Sequence, residues 1–189
     1  NKLKFNNKVL AVGCRYQGTG TGVAGVAATA VSELAAYGKK FHYQWGGMHT
    51  AAAPSSYGVP SNWGPSGTGP DCSGFVSWAL YNAGFNWRSL GATDWAKTGE
   101  VVNLGDERIQ VGDFIVTPGN REYNHIVIIT AINNDNYHVV EAASTNTGVV
   151  FNQISMNDSK RKAVLMSDYY ATAAKSSTFS SMCTTKGLS

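Results

Sequence analysis

Three cysteines and four histidines are the side chains of this sequence that could serve as thiol nucleophile or imidazole base. Cys72 stands apart from the other cysteines by its surroundings. Asp71 precedes it, and Phe75, Val76, Ala79, Leu80 and Ala83 follow at helical spacing with Gly84 beyond them. That pattern predicts an amphipathic helix opened by Asp71 as its cap, with Cys72 in the first turn. Unpaired N–H groups and the helix dipole favour a thiolate there, which is what a cysteine nucleophile needs. Thiol catalysis also needs a base within reach and a polar group that fixes the imidazole. His125 opens His-Ile-Val-Ile-Ile, the most apolar run of the chain, where a buried strand would hold its ring rigidly at one edge. One strand later, Glu141 sits inside Val139-Val140-Glu141-Ala142, where an ionisable group is costly to bury without a partner such as a histidinium. His138 competes for that role. Residues 137, 139 and 141 share one strand face and 138, 140 and 142 the other, so only one of Glu141 and His138 can face His125.

Two kinds of element must bring these groups together. Val26, Ala27, Ala30, Val31, Leu34 and Ala35 predict a helix over residues 25–37, stopped by Gly38. After the Cys72 helix the pattern turns to short β runs at 113–117, 125–132, 137–142, 149–152 and 163–167, the first three separated by Pro118-Gly119-Asn120 and Asn133-Asn134-Asp135-Asn136. Helices first and antiparallel strands after read as an α+β fold. Residues 1–24, with Gly13, Gly18, Gly20 and Gly22, read as an N-terminal arm or linker, residues 25–175 as the catalytic domain and 176–189 as a C-terminal tail. The Pro-, Ser- and Gly-rich stretch 51–70 reads as a long surface loop. Trp78 and Trp87 read as packing residues.

Several function classes are disfavoured. A formal charge of +3 without a Lys or Arg stripe argues against nucleic acid as a partner. No run of about 18 apolar residues exists to span a membrane. His42 and His49 flank Tyr43-Gln44-Trp45-Gly46-Gly47, but no His-Glu-x-x-His or Cys-x-x-Cys spacing supports a metal site, and neither metal nor cofactor is expected. The remaining cysteines, Cys14 and Cys183, could join the two ends of an extracytoplasmic protein or remain two free thiols; both readings stand. The chain starts at Asn1, which gives the expectation of a longer precursor.

Asp71-Cys72-Ser73-Gly74-Phe75 resembles the nucleophile motif of the NlpC family of papain-like peptidases, which cut peptidoglycan stem peptides. Three more segments resemble that family in the same order. They are Tyr43-Gln44-Trp45-Gly46-Gly47, Val111-Gly112-Asp113-Phe114-Ile115 and His125-Ile126-Val127-Ile128-Ile129. The resemblance spans roughly residues 25–145 and implies a papain-like domain, N-terminal helices packed on a central antiparallel sheet. It further implies Cys72 as nucleophile, His125 as base and Glu141 as the residue that orients it, with Tyr43, Trp45, Asp71 and Ser73 binding substrate. The implied partner is bacterial peptidoglycan, the implied cut lies between D-glutamate and the diamino acid, and the expected protein is an extracytoplasmic monomer. Glutamate at the third position is similar to the CHAP amidases and peptidases, so a muramoyl-alanine amidase or crossbridge peptidase is the alternative, and an inactive wall-binding module a further one. A longer segment separates Gly47 from Asp71 than is usual in the NlpC family, which implies a reshaped groove.

Overall fold

The computed structural model describes residues 2–36, 41–64 and 67–188. Two helices, α1 (Lys2–Tyr16) and α2 (Gly20–Ala36), open the chain, and α3 (Cys72–Tyr81) is the next helix among the described residues. A short helix α4 (Ala92–Ala96) leads into six strands: β1 (Glu100–Asn103), β2 (Phe114–Pro118), β3 (Tyr123–Ile132), β4 (Asn136–Ser144), β5 (Gly148–Ser155) and β6 (Lys162–Leu165). Helices α5 (Ser167–Thr172) and α6 (Ser177–Thr185) close it. The strands form one antiparallel sheet in the order β1-β6-β2-β3-β4-β5, so the fold is α+β as the pattern of elements predicts.

Strand alternation builds two cores. Phe114, Val116, Ile126, Ile128 and Val140 pack with α2, α3 and α4 in one, while Ile115, Val127, Ile129, Tyr137 and Val139 fill a second beneath the sheet. The central strands are therefore apolar on both faces, which explains the continuous run of β3. Helix α3 is buried along its whole length and lies against β3 and β4. It thereby carries Cys72 to the strand that holds His125.

Three expectations need correction. Residues 1–24 are not an arm: α1 buries Phe5, Val9, Leu10 and Cys14, a spacing that keeps one helical face apolar. Gly13 interrupts that pattern because a Cβ there would lie 2.0 Å from the carbonyl oxygen of Asn82, at the C-terminal end of α3. The residue permits close helix packing. The expected tail 176–189 contains α6, whose Phe179 and Cys183 are buried, with Cys183 joined to Cys14 by a disulfide. The described residues of the stretch 51–70 are not purely superficial. Val59 and Trp63 turn inward, and Trp63 meets Phe41 edge-on with ring centroids 5.1 Å apart. Helix α2 begins at Gly20 and matches the expected helix as far as Ala36; Tyr37 and its expected stop, Gly38, lie outside the described residues. Trp78 is fully buried and donates from Nε1 to the Gly58 carbonyl at 2.9 Å. Trp87 packs edge-on against Tyr81 with centroids 5.7 Å apart.

Candidate active site

Asp71 sets the geometry of the site. Its extended backbone is that of an N-cap, and its Oδ1 accepts from the Gly74 N–H at 2.7 Å, which fixes the first turn of α3 with Cys72 at its start. The Tyr43–Gly47 segment is tied to this turn through backbone hydrogen bonds from Gln44 N–H to Pro70 O at 3.1 Å and from Asp71 N–H to Gly47 O at 3.2 Å. Contact is so close that a Cβ on Gly74 would lie 2.0 Å from the Gly47 carbonyl oxygen. The two glycine-containing motifs, 27 residues apart at those positions, are thus the two halves of one interlocked turn.

Cys72 is the one free cysteine among the described residues. Its Sγ lies 3.8 Å from the carbonyl oxygen of Asn124 and beside the His125 side chain, close enough to raise the pKa of that ring. His125 Nε2 donates to Glu141 Oε1 at 3.0 Å, which leaves Nδ1 as the ring nitrogen for Cys72. Burial by itself would lower the pKa of His125. The hydrogen bonds to Cys72 and Glu141, with the negative charges on those groups, outweigh burial and push it up to about 9. Glu141, and not His138, is therefore the strand β4 side chain at His125. His138 instead meets Asn133 Nδ2 at 2.9 Å from its Nε2.

A groove of about 570 Å³ runs over Cys72. Trp45, Asp71 and Ser73 line it, together with His49, Asp94, Arg121 and Asn124. Trp45 is 83% exposed, a large ring presented to solvent at the groove. Tyr43 is not among the residues that line the groove, but it lies near enough to Cys72 and Asp71 to feel their charge. Burial and then the neighbouring Cys72 and Asp71 charges push its hydroxyl up to about 12, so it remains a hydrogen-bond donor at neutral pH. In the sequence His49 stands out only as a flank of the Trp-Gly-Gly segment. It donates from Nε2 to Asp71 Oδ1 at 2.8 Å, and Ser73 Oγ lies 3.0 Å from the same nitrogen. The preceding Met48 has φ 66, a left-handed conformation that costs a non-glycine residue about 1 kcal/mol or more. No spacing in the sequence announces such a turn. Among the described residues no group of three or more His, Cys, Asp or Glu side chains is arranged to hold a metal ion, and no helix is long and apolar enough to cross a membrane.

A buried helix that starts with a cysteine thus packs on an antiparallel sheet that presents a carboxylate-bound histidine, the arrangement that the resemblance to papain-like peptidases implies. Residues 60–143 match the model of the CHAP domain. The matched stretch runs from the segment before α3 into β4 and so contains Cys72, His125 and Glu141. No curated protein matches in sequence. Similar solved structures include the peptidoglycan hydrolase RipB from Mycobacterium tuberculosis, at 21% identity and TM-score 0.44 over 86% of this chain and 82% of that one. NlpC2 from Trichomonas vaginalis aligns at 17% identity and TM-score 0.45 over 72% of this chain and 44% of its own. An NLP/P60 family lipoprotein homologue from Staphylococcus aureus aligns at 18% identity and TM-score 0.40 over 78% of this chain and 39% of its own. This chain spans less than half the length of the latter two.

Proposed function

We propose that this chain hydrolyses a stem-peptide amide bond of peptidoglycan through a thioester on Cys72, with His125 as acid and base and Glu141 as positioning residue. The observation that supports this reading is Cys72 in the wall of the groove with His125 beside it, hydrogen-bonded in turn to Glu141. Because Glu141 accepts from Nε2, that nitrogen of His125 carries one proton, and the raised pKa of the ring holds the second, taken from the thiol, on Nδ1. The sulfur then bonds to the amide carbon. N–H groups of the first α3 turn, which have no acceptor inside the helix, can face the developing oxyanion. Collapse breaks the C–N bond as His125 returns the proton to the departing amine. Water, deprotonated by the same imidazole, attacks the thioester to release the acid and regenerate Cys72. Tyr43, Trp45, Asp71 and Ser73 bind substrate in this reading, and the action is extracytoplasmic.

The bond proposed is the one between D-glutamate and the diamino acid, carried by the four NlpC-like segments. A second reading, amidase or crossbridge peptidase, is favoured by the CHAP match and by glutamate at position 141. Digestion of purified sacculi followed by mass spectrometry of the fragments separates them. A new amine on the diamino acid is the expected result; one on L-alanine or on a crossbridge residue would select the second reading, and no release by the wild type relative to Cys72→Ala would sink both. Glu141→Gln keeps the shape but removes the charge that orients and stabilises the imidazolium. It is expected to lower kcat/KM by about 10²-fold. Steady-state kinetics on soluble muropeptides checks this, and an unchanged rate would remove Glu141 from the mechanism.

A further inference from the structure

Asp71 has more to do than cap α3. Its Oδ1 takes the Gly74 N–H, the His49 imidazole at 2.8 Å and the Ser73 hydroxyl at 3.3 Å, and the His49 Nδ1 lies 3.4 Å from Ser89 Oγ on the far side of the ring. His49, Asp71 and Ser73 all line the groove at Cys72. The hydrogen bond from His49 to Asp71 raises the imidazole pKa against the smaller lowering by burial, so His49 is the group that answers the Asp71 side chain. Without His49, a carboxylate whose side chain is only 12% exposed would stand beside the nucleophile with no cationic partner in the hydrogen bonds it makes. Such a group selects a cation from its ligand. In a wall peptide the available cations are a free α-amine and the side-chain amine of the diamino acid.

We propose that His49 is a specificity-determining residue: by pairing with Asp71 and Ser73 it makes the subsite beside Cys72 one for acylated, uncharged peptide and not for a free ammonium group. An ammonium seeking Asp71 in the wild-type subsite must displace a histidine already hydrogen-bonded in place, whereas an amide N–H or an acyl group need not. The enzyme therefore suits peptide still joined to its neighbours at that end. The inference rests on the proposed peptide substrate and adds which form of it is taken.

The test uses two probes, the tripeptide L-Ala-γ-D-Glu-diaminopimelate with its α-amine free and the same peptide N-acetylated. Calorimetric binding to the full chain is measured in the Cys72→Ala background, with His49 intact and as Ala, Gln or Lys. Turnover in the Cys72 background gives KM and kcat separately. Wild type is expected to bind the acetylated peptide at least as well as the free one. His49→Ala and His49→Gln should shift the ratio towards the free amine by about tenfold, through KM, and His49→Lys, which restores a cation, should bring it back. Melting temperatures identify variants that fail to fold, and the Gln and Lys variants keep the test open if Ala fails. A wild type that prefers the free amine, binds neither peptide, or keeps its ratio in folded Ala and Gln variants overturns the proposal. Fragment release from sacculi by the wild type, compared with Cys72→Ala, reports independently on the underlying hydrolase reading.

Discussion

Cys72→Ala and His125→Ala should each lower kcat/KM on wall fragments by on the order of 10⁴-fold or more, and the double variant should be no slower than the worse single one. Non-additivity is expected because neither half works alone. The sulfur needs the imidazole to take its proton and to deliver it to the departing amine, and the imidazole has no other nucleophile to serve. The same pair predicts a pH profile. His125 is held protonated up to about pH 9 by Cys72 and Glu141, so the acid that expels the amine is present below that value and lost above it. Activity should fall as pH rises through about 9. Stability should follow in the same direction: the folded pKa lies above the ordinary 6.5, so the contribution is complete below pH 6.5 and disappears between there and about 9. Iodoacetamide gives a test independent of substrate. At neutral pH it should label Cys72 in the wild type faster than in His125→Ala. Equal labelling rates, or activity undiminished at pH 10, would dissolve the pair.

The parts of the molecule readable in advance are those where one local pattern decides the outcome. Asp71 before an amphipathic run gave a cap and a helix start, and the unbroken apolar stretch of β3 follows from burial on both sheet faces. Alternation narrowed the partner of His125 to two residues, and the chain register chose Glu141. What escaped depends on distant neighbours. Gly13 looks like a break in a helix until Asn82 is brought against it. Helix α6 has few apolar residues, and its burial of Phe179 and Cys183 comes from α1. Strand β1 is a four-residue edge strand with Val101 partly exposed, too short to show a period. His49, next to the left-handed Met48, meets a carboxylate 22 residues further along, a contact that no local pattern announces. The disulfide was one of two open readings of Cys14 and Cys183, since pairing depends on how both ends of the chain fold back.

That bond supplies the largest expected stability effect. Cys14 and Cys183 are 169 residues apart, so the crosslink restricts nearly the whole unfolded chain. A loop of this length corresponds to about 5 kcal/mol in the chain-entropy description, which for a protein of this size is a fall in Tm of roughly 10–20 °C. Cys14→Ala with Cys183→Ala, or reduction of the wild type, should show that fall in calorimetry. Catalysis should be spared below the new melting point. The linked helices α1 and α6 do not line the groove; Gly13 of α1 abuts Asn82 at the C-terminal end of α3, and Cys72 lies at the opposite end, about 15 Å away along the helix axis. The clip therefore holds the far end of the helix whose near end carries the nucleophile. An unchanged Tm would mean that packing of Phe179 and its neighbours already fixes α6 without the bond. A loss of activity at low temperature in the still-folded variant would mean that the position of α3, and with it the distance from Cys72 to His125, depends on the clip.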